Sequence, residues 1–269
     1  MLNEILKDVS DYIAWELEEG TVTVEASPDI LAALSAPSLG ATGSTPSTPR
    51  GGTGSTPSAV PKPEQTHSSS PSATLSATSP ALQKLASEIA VCTRCGLHAG
   101  RTNTVPGQGN PQPEILFIGE APGKDEDEQG LAFVGRAGQL LTKMIEAMGF
   151  AREDVFIANI NKCRPPDNRK PTREEMDTCL PFLKRQIAIL KPKVIIAMGA
   201  TAVEGLVTLP EGDTISKVRG QWLQFEGIPL MPTYHPAYLL RNPAMKHPVW
   251  EDLKTVLGFL GRPVPAVKK

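Results

Sequence analysis

The chain has 269 residues, 40% of them hydrophobic and 21% charged, which is enough apolar material for one sizeable core. No stretch is long and apolar enough to span a bilayer, and the N-terminus lacks the basic region and apolar run of a secretory leader, so a cytoplasmic, non-membrane protein is expected. The net charge of −2 hides a division: residues 1–80 carry 3 Lys and Arg against 9 Asp and Glu, whereas residues 81–269 carry 24 against 20. A mildly basic folded unit is compatible with nucleic acid.

In residues 1–19, Leu2, Ile5, Leu6, Val9, Ile13 and Leu17 recur at helical spacing, which predicts an amphipathic helix with an acidic polar face. Such a helix either docks on the main domain or meets a partner. From Ala36 to Pro80 the sequence is almost all Ser, Thr, Pro, Gly and Ala. It cannot bury enough apolar surface to offset the entropy of ordering, so residues 20–80 are expected to be a flexible linker and residues 81–269 the folded domain. Ala81–Val91 reads as a helix leading into Cys92-Thr-Arg-Cys95. After a Gly- and Pro-rich loop, strand and helix signals alternate: a strand over Glu114–Gly119, a helix over Gly138–Met148, a strand over Asp154–Ile160 and a helix over Thr172–Leu190. Thr172 and Glu175 have the spacing of a capping box. A buried strand follows at Lys193–Met198, then a short helix at Thr201–Leu206. Trp222–Phe225 and Ile228–Pro232 flank the hairpin signal Glu226-Gly227, and a helix over Val249–Leu260 closes the domain. This alternation implies parallel strands covered by helices on both faces, with a ligand site beyond the carboxyl ends of the strands.

Cys92 and Cys95 form a C-x2-C pair; Cys163 follows the second strand and Cys179 lies in the next helix. In the cytoplasm thiolate ligands are favoured over disulfides. Structural zinc is one reading. Zinc ribbons usually bring two close pairs, however, and the second pair here is separated by fifteen intervening residues, which fits an iron–sulfur cluster gathered from several elements better. Unliganded thiols are the third reading.

The first strand runs into Gly119-Glu120-Ala121-Pro122-Gly123, then through Glu126 and Asp127 to Phe133-Val134-Gly135-Arg136-Ala137-Gly138. Glycines there let backbone approach a ligand, and an aromatic on a strand-end loop suits stacking on a planar ring; a core-filling Phe133 is the plainer alternative. The acidic run Asp125–Glu128 offers carboxylates to a metal, but a solvated turn is the commoner outcome and the one expected. Asn159 ends the second strand, where its amide offers a donor and an acceptor to a base edge or caps a turn. Arg164 to Lys170 form a stiff basic loop. His235, in His235-Pro236-Ala237-Tyr238-Leu239-Leu240-Arg241, follows the last strand beside these polar groups and is a catalytic candidate.

In that order, the four cysteines, GEAPG with its downstream Glu126-Asp127 and FVGRAG, NINKCRPPDNRKP and HPAYLLRNP resemble the family 4 uracil-DNA glycosylases of bacteria and archaea, from about Cys92 to Leu260. The resemblance implies a three-layer α/β/α sandwich around a short, mostly parallel four-stranded sheet. It implies a [4Fe–4S] cluster on Cys92, Cys95, Cys163 and Cys179. It also implies a monomer acting on uracil-containing DNA, single- or double-stranded, with residues 1–19 available to a repair or replication partner. Phe133 would stack on the flipped uracil, Asn159 read its edge, and Gly119 and Ala121 line the base pocket. His235 would stabilise the departing uracil anion, Leu239 or Leu240 wedge into the gap left in the duplex, and Arg241, Arg164 and Arg169 meet phosphates. Better-known uracil glycosylases carry Asp where this chain has Ala121, so the water would be oriented by Glu120, with Glu126 and Asn168 as alternatives. A related branch captures uracil-DNA covalently through a histidine in its basic loop. The corresponding Arg169-Lys170-Pro171 has none, which counts against uracil-DNA binding or capture without turnover.

Overall fold

A computed structural model of the chain describes residues 79–265. The helix expected over 1–19, and all but the last two residues of the linker expected over 20–80, lie outside the described residues. The first described element is capped: the Ser79 hydroxyl accepts from Leu82 N–H, and Pro80 opens helix α1 (Pro80–Ala90). Both fit a first turn whose amides lack helical partners.

Four parallel strands form the middle of the sheet: β2 (Ile115–Gly119), β3 (Phe156–Asn159), β4 (Val194–Met198) and β6 (Ile228–Thr233). Two short strands, β1 (Gln108–Gly109) and β5 (Leu223–Phe225), extend it antiparallel at the edges, in the order β1-β3-β2-β4-β6-β5. The four-stranded sheet expected from the sequence is therefore corrected to a mixed six-stranded one. At two residues, β1 is too short to show an alternation. β5 enters through the Glu226-Gly227 turn, where both residues are left-handed (φ 51 and 79) as a two-residue hairpin requires.

Helix α2 (Lys124–Gln129) follows β2, and α3 (Arg136–Ala147) precedes β3. Helix α4 (Arg173–Leu190) links β3 to β4, α5 (Ala200–Leu206) and α6 (Ile215–Val218) lie between β4 and β5, and α7 (Pro236–Arg241) and α8 (Lys246–Phe259) come after β6. Along β2, Ile115 and Phe117 join the apolar layer containing α3, α7 and α8, while Leu116 and Ile118 join the layer containing α1, α4 and α5. β4 alternates likewise. Strands covered on both faces need apolar residues at every position, which is why they read as continuous runs. The three-layer arrangement is the expected one.

Two local features differ in how well the sequence announced them. The capping box forms: Thr172 Oγ1 accepts from Glu175 N–H (3.2 Å) and the Glu175 carboxylate accepts from Thr172 N–H (2.8 Å). The acidic run expected as a solvated turn is instead α2, and Asp127 within it is buried, accepting from Thr102 and Asn103 N–H. No helix among the described residues is long and apolar enough to cross a membrane.

Candidate active site

The carboxyl ends of the four parallel strands open into one cleft of about 630 Å³. β2 hands over to Glu120 and Ala121, β3 ends on Asn159, β4 leads to Gly199, and β6 leads to Tyr234 and His235, all of which except the strand bodies line the cleft. This is the rim where open α/β sheets bind ligands.

Three side chains predicted from the sequence meet there. Phe133 is 6% exposed, and its ring centroid lies 5.6 Å from that of His235 with the planes tilted by 35°. A Cβ placed on Gly119 would fall 2.5 Å from both Phe133 Cζ and Asn159 Oδ1, so glycine is what lets ring and amide converge. Asn159 is 1% exposed, yet its Oδ1 has no hydrogen-bond partner among the described residues. A buried acceptor left unpaired costs about 1–3 kcal/mol, and its position at the cleft suits a ligand that donates to it. His235 Nδ1 accepts from Ala237 N–H (3.1 Å) at the start of α7. That leaves the ring proton on Nε2. Burial, followed by the positive charge of Arg241, pushes the His235 pKa down to about 4, so the imidazole is neutral near pH 7.

The four cysteines line a second, smaller cavity, together with Arg101, Lys162 and Phe182 among others. Cys92 follows α1, Cys95 the loop after it, Cys163 the exit from β3, and Cys179 lies in α4, so the cavity joins three separate parts of the chain. None is in a disulfide. Arg101 donates to Cys163 Sγ (3.3 Å) and to the carbonyls of Cys92 and Ala90 (both 2.8 Å). Burial raises the Cys92 thiol, but hydrogen bonds from Arg94 and the charges of Arg94 and Arg101 outweigh it and hold it below the usual value. Burial pushes Cys179 up to about 11, against the opposing charge of Lys162. Among the described residues no three His, Cys, Asp or Glu side chains gather tightly enough to hold a single metal ion. Four thiols around one cavity, with Arg94, Arg101 and Lys162 beside them, nevertheless suit an anionic, thiolate-bound group.

The family model of the uracil DNA glycosylase superfamily matches residues 106–254. The chain belongs to the uracil DNA glycosylase superfamily. It is 47% identical over 185 residues to a type-4 uracil-DNA glycosylase of Thermotoga maritima, covering 66% of this chain and 95% of that one. It is 42% identical over 192 residues to a type-4 uracil-DNA glycosylase of Archaeoglobus fulgidus, covering 69% and 96%. A type-5 uracil-DNA glycosylase of Mycobacterium leprae is more distant, 30% identical over 181 residues with 58% and 79% covered.

The remaining predicted residues of this superfamily member divide between cleft and scaffold. Glu120 and Ala121 line the cleft, and among the described residues none donates to the Glu120 carboxylate. Glu126 also lines it, but its oxygens already accept from the N–H groups of Gly123, Val134 and Gly135, so it holds loops together and is poorly placed to orient a water. Asn168 is exposed at the rim in a left-handed conformation (φ 54), with Oδ1 accepting from Arg164 Nε (2.7 Å). Arg169 grips Glu175 through both terminal nitrogens (2.8 and 2.7 Å), which commits it to the start of α4. Arg241 is exposed at the cleft margin. Leu239 is corrected: at 1% exposure it belongs to the core beneath α7, so it is not available as a wedge, whereas Leu240 is only partly buried. Sequence reasoning missed Tyr234, Tyr238 and Ser216 on the cleft wall, where Tyr234 Oη donates to Ser216 Oγ (3.1 Å) and the Tyr234 ring packs tilted by 39° against that of Tyr238, centroids 4.8 Å apart. Tyr234 stands beside His235 at a strand end, and that position was the available signal.

Proposed function

We propose that this chain removes uracil from DNA by hydrolysing the N-glycosidic bond of a flipped-out deoxyuridine, the first step in base excision repair of deaminated cytosine. The carrying observation is the buried, unpartnered Asn159 Oδ1 beside the Phe133 ring. Uracil presents an N3–H that satisfies this acceptor. Cytosine has a bare N3 in its place and would leave the oxygen unpaired, at a cost of about 1–3 kcal/mol.

Extruding the nucleotide costs on the order of a few kcal/mol, and one aromatic stack on Phe133 returns about 1–3 kcal/mol. Leu240 fills the gap in the duplex while Arg241, helped by Arg164, meets phosphates. As the C1′–N1 bond breaks, the electron pair leaves with the base. His235 donates its Nε2–H to a uracil carbonyl oxygen where that charge collects, which a neutral imidazole with its proton fixed on Nε2 is built to do. Glu120, with Asn168 also on the cleft wall, orients the water whose oxygen bonds to C1′ and whose proton passes to the departed uracil anion or to solvent. The sugar cation needs little base strength from them, consistent with Ala121 where an Asp stands in better-known enzymes.

Cys92, Cys95, Cys163 and Cys179 are the residues that would hold a [4Fe–4S] cluster, which would tie the exit of β3 to α1 and α4. The chemistry is assigned to a domain over residues 81–269 acting as a monomer on single- or double-stranded DNA, and residues 1–19 are left for a repair or replication partner. The test is incubation with oligonucleotides holding one uracil, opposite guanine, opposite adenine or unpaired, followed by assay of free base and denaturing electrophoresis. Free uracil is expected. A shifted protein band without free base would instead mean capture.

A further inference from the structure

Phe133 is one of five non-glycine described residues with positive φ, at 53°. An aromatic side chain in the left-handed region costs on the order of 1–3 kcal/mol and persists only where the surroundings impose it. They do so here on both flanking peptides. Arg152, far along the chain after α3, donates through Nη2 to the carbonyls of Ala132 (2.7 Å) and Phe133 (2.8 Å). Its other terminal nitrogen is anchored on Thr142 Oγ1 (2.8 Å) in α3. Opposite it, Glu126 Oε1 accepts from the N–H of Val134 (2.9 Å) and Gly135 (3.0 Å). The peptide between Phe133 and Val134 is thus held at its oxygen by a guanidinium and at its nitrogen by a carboxylate. The peptide before Phe133 is held at its oxygen by the same guanidinium. A Cβ on Gly138 would fall 1.9 Å from the Phe133 carbonyl oxygen, so α3 is packed hard against this turn. With both peptides fixed, the Cα–Cβ direction of Phe133 is fixed, and its ring lies across Gly119 towards His235.

We propose that Arg152 and Glu126 act as positioning residues, a charged clamp that sets the Phe133 ring as the stacking face for the extruded base. The proposal rests on the glycosylase reading above. It gives Glu126 a task other than handling water and gives Arg152, which does not line the cleft, a part in substrate recognition.

The test is a double-mutant cycle on binding. One duplex carries 2′-fluoro-2′-deoxyuridine, whose glycosidic bond resists cleavage, and a matched duplex carries a tetrahydrofuran abasic analogue; the ratio of their dissociation constants reads base stacking. Phe133→Ala and Arg152→Met should each reduce the preference for the base-bearing duplex roughly tenfold, the double variant should lose little more, and Arg152→Lys should restore part of it. Binding to the abasic duplex should hardly change, which a general loss of structure would not allow. Losses that multiply in the double variant, or an unchanged preference in Arg152→Met, overturn the clamp. Should Arg152→Met fail to fold, Glu126→Gln enters the same cycle with the same expectations. A wild-type protein that frees no uracil defeats the glycosylase reading itself, and is distinguished from failure of the clamp because it is seen before any substitution.

Discussion

The buried ammonium of Lys162 donates to the backbone carbonyl of Asn159 at 2.7 Å, so a cation fixes the peptide that carries the Asn159 side-chain amide. The same nitrogen donates to Gln186 Oε1 (2.6 Å), and Gln186 donates onward to the Pro106 carbonyl (2.6 Å). Burial pushes the Lys162 pKa down to about 8, partly countered by Cys179. Lys162 lines the thiol cavity, and the next residue is Cys163, so one side chain touches both the sulfur-lined cavity and the carboxyl end of β3.

Lys162→Met removes a buried charge and strands two acceptors. Loss of the charge relieves desolvation, while each stranded oxygen costs about 1–3 kcal/mol. A roughly tenfold fall in kcat/KM for uracil release is expected, with a change in unfolding free energy within about 2 kcal/mol. Steady-state kinetics and thermal unfolding check this, and unaltered kcat/KM would show that the amide does not depend on the ammonium.

Asn159→Ala separates activity from stability. Removing the unpaired oxygen takes away a folded-state cost of about 1–3 kcal/mol, offset by the cavity the truncation leaves. The unfolding midpoint should hold while uracil release drops by roughly ten- to a hundredfold. A large loss of stability would mean that the amide is a structural linchpin.

His235 sets the expected pH dependence. Its folded pKa of about 4 lies below the ordinary 6.5, so the neutral ring is favoured by folding. The rate of uracil release in a single turnover should therefore show no histidine inflection near 6.5 and should decline only as pH approaches about 4. The associated stability is complete above 6.5 and is lost as pH falls from there towards 4, because the unfolded chain takes up the proton first. An activity inflection between pH 6 and 7 that disappears in His235→Gln would contradict the neutral-donor role.

Purified protein should absorb broadly near about 400 nm, as thiolate-bound iron does. Cys163→Ser or Cys179→Ser should bleach that band and lower the unfolding temperature. Colourless wild-type protein with stoichiometric zinc would remove the cluster.

The sequence carried the parts of this domain that depend on local pattern. Short apolar runs located β2, β3 and β4, and Thr172 with Glu175 announced the start of α4. The strand-end placement of Phe133, Asn159 and His235 was legible because a parallel sheet puts its loops on one rim. What escaped depends on contacts distant in sequence or on helix phase. Arg152 reaches Phe133 from nineteen residues away and looks like any surface cation. Leu239 and Leu240 are adjacent and chemically identical, and only the packing of α7 decides which one faces the core. Glu126 resembled a reactive carboxylate because nothing local showed three amides waiting for it. Asp127 read as solvated because its partners, Thr102 and Asn103, come from the preceding loop.

The absence of a side chain at Gly119 makes that position a natural off-switch. One added methyl would fall 2.5 Å from both the Asn159 amide oxygen and the Phe133 ring, on the inside, while leaving the exterior charges as they were. Gly119→Ala is thus the substitution of choice for an inert decoy, able to sit on nucleic acid yet blind to the lesion.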